Sequence, residues 1–339
     1  MRTIEWKNGI VTTVDQTKLP SQTVLLKMTS CGEIVEAIKK LQVRGAPLLG
    51  AAAAYGLALT AYHSTTEDKE KLIEELSVSA QLLKETRPTA VNLFWAIDRV
   101  INIVSQAKGD AVTVRKAVLE EAQKMALEDI KTNWKIGENG SHLISEGDIV
   151  LTHCNAGSLA TVDYGTALGV IRTAWKEGKK IQVIATETRP LLQGARLTAY
   201  ELFLEGIPVR LITDSMVGYV MAKGMVDKVV VGADRIVNDA VINKIGTYTI
   251  AVLAHEHGIP FYVAAPKSTF DTNRSAKDVV VEERDVEEVA SFNGVQIAPE
   301  GVSVFNPAFD VTPLKYVSAI ISEEGVLSPN GFHKLSVES

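Results

Sequence analysis

The sequence predicts an α/β protein in which a mainly helical N-terminal domain precedes a Rossmann-like domain built on a doubly wound parallel sheet. Up to about Ser141 the apolar residues recur mostly at helical spacing. Beyond that point, short β-branched runs alternate with helical runs. Strands that alternate with helices form parallel sheets covered by helices. We therefore expect the helical domain over residues 1–140 and the Rossmann-like catalytic domain over residues 141–339.

Length and composition are those of a globular chain without the marks of a nucleic-acid or membrane protein. The 339 residues are 46% hydrophobic, which is enough for a large core and two domains, and the net charge of −6 comes without a cluster of Lys or Arg. Cys31 and Cys154 are too few for a disulfide framework, and the first ten residues contain no apolar run typical of a signal peptide. We expect a cytoplasmic protein whose partner is neither nucleic acid nor membrane.

The N-terminal part contains several helical segments. Four have apolar residues at helical spacing: "EIVEAIKKL", "EKLIEELSVSAQLLKE", "AVNLFWAIDRVINIVSQA" and "AVTVRKAVLEEAQKMALEDIKTNWKIGENG". A further one is the uncharged run from Gly45 to Tyr62. It is nearly long enough to span a bilayer, but its many Ala, Gly and Thr residues and the acidic segments after it favour a buried helix. The change of period and three nearby glycines place the domain boundary near residues 137–147.

In the second part, strand-like runs alternate with helical ones. The strand-like runs are "DIVLTHCNAG", "KIQVIATETRP", "PVRLITDSMVG", "DKVVVGADRI" and "PFYVAAPKSTF", and the helical runs are "YGTALGVIRTAWKEG", "LLQGARLTAYELFLEG", "GYVMAKGM" and "NKIGTYTIAVLAHEHG". Each strand ends in polar residues, and in open α/β sheets ligands bind at those carboxyl ends. For Asp214 and Ser215, helix capping is an equally good explanation. The glycine spacings of a dinucleotide site and of a P-loop are absent, which disfavours both enzyme classes.

Two of these strand ends carry candidate reactive groups. Cys154 follows an apolar strand and precedes the small residues of "NAGSLAT"; the alternative is an inert buried cysteine. His153 is its neighbour, but successive side chains of a strand point to opposite faces, so we expect no Cys–His pair. Asp234 ends the apolar run "KVVVGAD", where desolvation can raise a carboxyl pKa enough for general acid catalysis near neutral pH. The alternatives for Asp234 are a helix cap and an ion pair with Arg235.

Polar residues at predicted helix openings complete the candidate set. Asn243 and Lys244, in "NDAVINKIGTY", stand at the opening of a predicted helix, where free backbone N–H groups favour an anion or a sugar hydroxyl. Gln193 is placed similarly, and ordinary capping is the alternative for all of these residues. His255 and His257 lie two residues apart in a predicted helix and do not share a face, so we predict no metal site.

Several blocks of the sequence together resemble one enzyme family. They are "VRGAPLLG", "TRPTAVNLFWA", "LTHCNAGSLATVDYGTALGVIR", "ETRPLLQGARLTAYEL", "ITDSMVG", "VGADRI", "NKIGTY", "PFYVAAPKSTFD" and "NPAFDVTP". They closely resemble the methylthioribose-1-phosphate isomerases, and the resemblance covers nearly the whole chain. Those enzymes belong to a larger family that also contains ribose-1,5-bisphosphate isomerases, 5-deoxyribose-1-phosphate isomerases and regulatory subunits of a translation initiation factor exchange complex.

The resemblance implies a function and a set of site residues. It implies an aldose–ketose isomerase that converts S-methyl-5-thioribose 1-phosphate to the corresponding ribulose 1-phosphate in methionine salvage, with Cys154 and Asp234 as the catalytic pair. The residues that it implies for substrate binding are Arg44, Gly45, Ala46, Arg87, Gln193, Asn243 and Lys244. An acid, here Asp234, opens the sugar ring, and hydrogen then moves from C2 to C1, either through an enediol with Cys154 as base or by hydride shift. Neither route needs a metal or a cofactor, so none is expected.

Departures from the family pattern leave the 5-substituent of the sugar open. The chain has "RGAPLLG" where these enzymes usually have "RGAPAIG", Thr186 in "TETRP" where they have "DETRP", and "IVNDAVINKIGTY" without the usual "NGD". A 5-deoxyribose-1-phosphate isomerase is therefore the alternative, while a 1,5-bisphosphate would require further cationic groups. The non-enzyme alternative is a regulatory subunit of the exchange complex, which does not need Cys154 and Asp234 together. The resemblance and an apolar, helix-rich surface expected near residues 306–326 also favour a homodimer.

Overall fold

The computed structural model of the chain describes residues 2–329. Met1 and residues 330–339, which include the end of the predicted second domain, lie outside the described residues. The described part begins with an antiparallel sheet that the sequence pattern does not predict. Its strands are β1 (Ile4–Lys7), β2 (Ile10–Val14) and β3 (Leu25–Met28). Strands of four or five residues offer too few alternations to be recognised among helical segments.

The helices that follow coincide with the predicted helical segments. They are α1 (Cys31–Lys39), α2 (Ala46–His63), α3 (Lys69–Lys84), α4 (Val91–Gln106) and α5 (Ala111–Ser141). Polar side chains fix where several of them begin, because Ser30, Asp68 and Asp110 accept backbone N–H groups from the first turns of α1, α3 and α5. These helices therefore start where a side-chain acceptor is available.

Helix α2 is buried on all sides by α1, α3, α4 and α5. Three successive residues, Ala52, Ala53 and Ala54, are fully buried although their side chains point in directions about 100° apart. Small residues allow this close packing: a Cβ atom on Gly50 would lie 3.0 Å from the carbonyl oxygen of Asn92 in α4. The prediction of a buried helix is confirmed, and among the helices of residues 2–329 none is long and apolar enough to cross a membrane.

Beyond α5, strands and helices alternate as predicted. Their order is β4 (Ile149–Thr152), α6 (Ala167–Lys176), β5 (Gln182–Thr186), α7 (Ala199–Leu204), β6 (Val209–Ile212), α8 (Val217–Ala222), β7 (Lys228–Val231), β8 (Arg235–Ile236), β9 (Ala240–Lys244), α9 (Thr247–Glu256) and β10 (Phe261–Ala264). The elements after β10 are α10 (Glu287–Ala290), β11 (Ser291–Phe292), β12 (Val295–Gln296), β13 (Phe309–Pro313), β14 (Ala319–Ser322) and β15 (Gly325–Leu327). Two of the strands that the sequence pattern does not predict, β8 and β13, flank β9 in a small antiparallel sheet.

The main sheet has the strand order β15-β14-β10-β7-β4-β5-β6, with only β15 antiparallel to its neighbour. The chain runs outward from β4 to β6 and then returns to β7, from which it runs outward to the other edge. The direction of winding therefore reverses between β4 and β7. Such a reversal opens a crevice at the carboxyl ends of the two neighbouring strands, where ligands bind in this architecture. The predicted α/β class with a doubly wound parallel sheet is confirmed.

Helix α5 contributes to two hydrophobic cores. Val118 and Met125 pack in the core around α2, whereas Ile136, nearer its C-terminal end, packs with α6 against one face of the main sheet. Gly137 lies inside this helix rather than in a linker, because a Cβ atom there would lie 2.5 Å from the hydroxyl of Thr173 in α6. Gly137 and Gly140 thus serve helix packing, whereas Gly147 lies beyond the helix with a positive φ, and the division at residue 140 stays a prediction.

Candidate active site

A cavity lies at the carboxyl ends of β4 and β7, where the winding of the sheet reverses. Its wall is completed by the start of α2, the end of β9, the segment after β10, and Arg284 and Phe309 from before and at the start of β13. Every residue predicted to belong to the site lines this cavity: Arg44, Gly45, Ala46, Arg87, Cys154, Gln193, Asp234, Asn243 and Lys244. The structure therefore brings together side chains that are up to 200 residues apart in sequence.

Cys154 stands at the end of β4 in a backbone conformation with φ +60°. Two threonines hold this conformation: the backbone N–H of Cys154 donates to the Thr188 hydroxyl at 2.9 Å, and its carbonyl accepts from the Thr198 hydroxyl at 2.6 Å. Burial raises the pKa of the Cys154 thiol, and the nearby charges of Lys244 and Arg44 oppose that rise without cancelling it. The sulfur is therefore a neutral thiol at neutral pH.

His153 lines the same cavity as Cys154, but its ring is bound to other partners. Its Nε2 lies 2.8 Å from the carbonyl oxygen of Ile245, and its Nδ1 lies 2.6 Å from the hydroxyl of Thr186. A carbonyl can only accept, so Nε2 carries the proton and Nδ1 accepts from the hydroxyl. Burial lowers the pKa of His153, which keeps the imidazole neutral. Both ring nitrogens are thus occupied by structural partners.

Asp234 follows β7 and faces the same cavity as Cys154. Burial raises the pKa of its carboxyl group, and the charges of Lys244, Arg87 and Arg44 only partly oppose this. Its sequence neighbour Arg235 instead donates to the carbonyl of Thr89 at 2.8 Å and lies 3.5 Å from Asp271. The alternative of an Asp234–Arg235 ion pair is therefore wrong. The carboxyl group therefore keeps its proton at a higher pH than an exposed aspartate does.

Arg44 enters the cavity from the segment before α2 and is held by neutral oxygens. Its Nε donates to Gln16 Oε1 at 2.9 Å, Nη2 donates to Asn155 Oδ1, and both Nη atoms lie 3.3 Å from the backbone oxygen of Asn155. No carboxylate among residues 2–329 lies within ion-pair distance of it. The neutral oxygens of Gln16 and Asn155 orient the guanidinium group but leave its positive charge uncompensated, so the charge is available to an anion in the cavity.

Gly45 separates Arg44 from the helix and has φ +102°. A Cβ atom at this position would lie 2.5 Å from the Cα of Ala160 in the segment that follows Cys154. Ala46 then begins α2, with Pro47 in its first turn. The free N–H groups of a helix N-terminus favour negative charge, so this end of α2 adds to the cationic character of the cavity.

Arg87 lines the cavity and forms an ion pair with Glu282, which lies 195 residues further along the chain. Its Nε and Nη2 lie 3.2 and 2.9 Å from Glu282 Oε2, and Glu282 also lies 3.0 Å from Arg284. Arg284 lines the cavity too and was not among the predicted residues. Arg284 is also bound by Glu288. The four cationic side chains Arg44, Arg87, Lys244 and Arg284 still outnumber the acids Asp234, Glu282 and Glu288, which makes the cavity suited to a phosphate group.

Asn243 and Lys244 lie on β9 and not at the opening of a helix, which corrects the prediction from sequence. The following helix, α9, begins at Thr247. The β conformation is imposed by pairing with β8 and β13, and β13 lies more than 60 residues further along the chain. Lys244 Nζ donates to the carbonyl of Ala308 at 2.8 Å and lies 4.9 Å from the centre of the Phe309 ring. Burial lowers its pKa.

Gln193 lies just before a short π-helical turn, Gly194–Thr198. Its side chain is 6% exposed, and its Oε1 has no hydrogen-bond partner among the residues that the structure describes. A buried amide oxygen without a partner is costly unless a ligand supplies a donor. The geometry therefore marks Gln193 Oε1 as an acceptor for a ligand hydroxyl.

Comparison with known proteins shows the family to which the chain is similar. The Initiation factor 2 subunit family matches residues 42–329. A curated relative from Archaeoglobus fulgidus, a putative methylthioribose-1-phosphate isomerase, is 58% identical over 97% of this chain and 96% of its own. A 5-deoxyribose 1-phosphate isomerase from Moorella thermoacetica is 53% identical over 96% of this chain and 94% of its own.

Solved structures show the same fold. The 5-methylthioribose 1-phosphate isomerase from Pyrococcus horikoshii OT3 superposes with a TM-score of 0.91 at 46% identity, covering 98% of this chain and 94% of its own. A structure from A. fulgidus described as translation initiation factor eIF-2B, subunit delta, has a TM-score of 0.87 at 56% identity, covering 97% of this chain and 96% of its own. Close relatives thus carry both enzymatic and initiation-factor names.

Proposed function

The chain belongs to the Initiation factor 2 subunit family, and we propose that within this family it is an aldose–ketose isomerase that converts S-methyl-5-thioribose 1-phosphate to the corresponding ribulose 1-phosphate in methionine salvage. The observation that carries the proposal is the placement of Cys154 and Asp234 at the ends of neighbouring strands, in one cavity rich in positive charge. The names and the full-length similarity of the relatives from A. fulgidus and P. horikoshii support it.

In the proposed reaction, the proton that burial keeps on Asp234 is delivered to the ring oxygen of the sugar. The bond from C1 to the ring oxygen then breaks, which leaves an oxocarbenium at C1 and a hydroxyl at C4. A hydride moves from C2 to C1, the 2-hydroxyl loses its proton, and a ketone forms at C2. Cys154 passes that proton to the Asp234 carboxylate, which restores the acid. The raised pKa of Cys154 favours this route over an enediol route, which would require a thiolate.

The remaining residues of the cavity are assigned to binding. Arg44 and the N-terminal end of α2 at Ala46 would hold the phosphate, because the guanidinium and the free N–H groups of the helix both favour a dianion. Gln193 and Asn243 would bind the sugar hydroxyls, and Lys244 would offset the charge that develops on Asp234 after proton transfer. No step of this scheme requires a group that the chain does not itself supply.

An apolar side pocket supports a methylthio substituent at C5 over the alternative, 5-deoxyribose 1-phosphate. It adjoins the main cavity at Asp234 and Arg87, and apolar side chains form much of its wall: Ala46, Leu49, Ala90, Ile242, Val279, Val280, Val281 and Phe309. A thioether gains more than a methyl group from an apolar surface, because it is larger and readily polarised. The cationic groups of its wall, Arg87 and Arg235, are already paired with Glu282 and Asp271, so a second phosphate at C5 would find no unpaired cation there.

Replacing Ala90 with Leu tests this assignment, since the larger side chain would occupy the side pocket. We expect the KM for S-methyl-5-thioribose 1-phosphate to rise about tenfold, and the KM for 5-deoxyribose 1-phosphate to rise less, because overpacking costs about 1–3 kcal/mol only for the group that needs the space. Steady-state kinetics on both sugars measures the difference. Ala222→Leu, on an exposed position at the end of α8, is the matched control. Equal effects on both sugars would contradict the assignment.

The non-enzyme alternative rests on the A. fulgidus structure with an initiation-factor description. A regulatory subunit could bind a sugar phosphate or nucleotide without an acid and a thiol on the same cavity wall. Cys154 and Asp234 are both present here, and both have raised pKa values. Turnover of a sugar 1-phosphate by the purified chain separates the two functions, because a regulatory subunit would yield no ketose product.

We also infer that the chain forms a homodimer, through a surface different from the one expected from sequence. Residues 306–326 are not helix-rich, and the buried strand β14 lies among them. The apolar surface lies instead beside β6, which forms one edge of the main sheet. Phe203, Leu211 and Tyr219 are 77%, 48% and 61% exposed there. Exposed apolar side chains beside an open strand edge are typical of an interface between subunits.

Leu211→Glu is expected to convert the dimer to a monomer, because it places a charge in the centre of this edge. Light scattering at micromolar concentration measures the change in mass. Val112→Glu introduces the same charge at a residue that is 63% exposed at the start of α5, and it should leave the dimer intact. A wild-type chain that is only monomeric at that concentration would overturn the inference.

A further inference from the structure

A buried carboxylate, Glu201 of α7, lies behind the cavity wall without lining the cavity. It is 3% exposed and accepts hydrogen bonds from the N–H and the hydroxyl of Ser158, both at 2.7 Å, and from Arg172 Nη2 at 2.6 Å. It also accepts from Asn155 Nδ2 at 2.8 Å. A Cβ atom on Gly157 would lie 2.5 Å from Glu201 Oε2, so the carboxylate packs directly against the segment that follows Cys154.

Glu201 keeps its negative charge although it is buried. Burial alone would raise its pKa, but the charge of Arg172 and the hydrogen bonds from Arg172, Asn155 and Ser158 bring the pKa below its ordinary value. Arg172 is itself held by Glu205, with Nε at 2.8 and 2.6 Å from the two carboxylate oxygens. Glu201 is therefore an ionised hydrogen-bond acceptor at neutral pH.

This acceptor decides which way the amide of Asn155 faces. Its Nδ2 donates to Glu201 and, at 3.2 Å, to the Thr198 hydroxyl, so Oδ1 is turned towards Arg44 and accepts from Nη2. In the opposite orientation, the amide would set N–H groups against the guanidinium N–H groups, and its oxygen would face a carboxylate. A chain of hydrogen bonds thus runs from Glu201 through Asn155 to Arg44.

We propose that Glu201 is a positioning residue for substrate binding, which acts by orienting Asn155 and so aiming the Arg44 guanidinium into the cavity. The proposal rests on the proposed role of Arg44 in holding the phosphate. It follows that loss of the Glu201 charge frees the Asn155 amide to rotate, so that Arg44 no longer meets the phosphate in a fixed geometry. The reacting groups Cys154 and Asp234 are not contacted by Glu201, so the loss falls on binding.

Glu201→Gln tests this, with steady-state kinetics on S-methyl-5-thioribose 1-phosphate as the readout. We expect KM to rise about tenfold, the scale of one hydrogen bond to a charged group, while kcat changes less than about twofold. Glu205→Gln is the matched control: it removes the same kind of charge four residues further on, from a residue that binds the same Arg172 but is not bonded to Asn155. Its KM should stay at the wild-type value. Melting curves of both variants show whether stability alone has changed.

Asn155→Ala gives a second test if Glu201→Gln does not fold, because it removes the link and leaves the other bonds of Glu201 in place. It should raise KM to a similar extent. Arg44→Lys should also raise KM, about tenfold or more, and adding Glu201→Gln to it should cause little further change, since both act on one interaction. An unchanged KM in Arg44→Lys would remove the proposed role of Arg44 and with it this inference. If Arg44→Lys raises KM but Glu201→Gln or Asn155→Ala keeps the wild-type KM, the positioning role of Glu201 is overturned and the role of Arg44 stands. The same follows if the effects of Arg44→Lys and Glu201→Gln on KM add in the double variant.

Discussion

Asp234→Asn and Cys154→Ser are each expected to lower kcat by about 10²- to 10⁴-fold, the usual contribution of a positioned acid or base. An amide cannot give its proton to the ring oxygen, and a serine hydroxyl is a far weaker acid than a thiol and does not relay the proton of the 2-hydroxyl. Both substitutions nearly preserve size, so the fold and the binding of substrate should be retained. Formation of ketose product measures kcat, and isothermal titration measures binding.

The controls make the same chemical changes away from the cavity. Cys31→Ser alters a cysteine in the core around α2, and Asp98→Asn alters a surface acid that pairs with Lys84 at 2.7 Å. Both should keep kcat within about twofold of the wild type, because neither residue lines the cavity. Substantial turnover by Asp234→Asn or by Cys154→Ser would remove that residue from the proposed pair. Loss of turnover together with loss of the folded state would point to a structural role.

Gly45→Ala is expected to be the most destabilising single methyl addition in the site and to abolish most turnover. At φ +102° an alanine is strained by about 1–3 kcal/mol, and its methyl group would meet Ala160 Cα at 2.5 Å, which adds a further cost of about 1–3 kcal/mol from overpacking. The added methyl group is fixed to the backbone at residue 45 and would meet backbone atoms of Ala160, so no side-chain rotation relieves the clash. The start of α2 and the segment after Cys154 must therefore move apart. A melting curve measures the first effect and kcat/KM the second.

Gly147→Ala separates the two costs. Gly147 also has a positive φ, +80°, but a Cβ atom there meets nothing within 4 Å. It should therefore show the backbone strain without the clash, a smaller drop in melting temperature and wild-type turnover. If Gly45→Ala were no more destabilising than Gly147→Ala, the close approach of α2 to residue 160 would not be a constraint on the active site.

The sequence predicts those features whose cause lies within a few residues. Helical spacing gives the positions of α1, α3, α4 and α5, the uncharged run rich in Gly and Ala gives α2, and the ring of His153 binds Ile245 and Thr186 and not Cys154. The ends of β4 and β7 are recognisable because apolar runs give way there to polar residues. That these two strands are neighbours is a long-range pairing that only the structure gives.

Features that depend on distant partners could not be predicted in this way. Asn243 and Lys244 look like a helix opening until β13 pairs with them from more than 60 residues away. The link from Glu201 to Asn155 joins residues 46 apart, and nothing in either local sequence marks it. Arg284 follows no strand of the main sheet, and it lines the cavity beside Glu282, which binds both Arg87 and Arg284.

Helix α5 belongs to two hydrophobic cores, and this restricts how the active-site cavity can open. A hinge near residue 140 would let the helical part swing away from the sheet, but the last turns of this 31-residue helix are packed on α6 while its first turns are packed around α2. Swinging would have to bend the helix, at the cost of several consecutive backbone hydrogen bonds. The Arg87–Glu282 ion pair, by contrast, can break and re-form without disturbing either core, so we expect any opening of the cavity to begin at this contact.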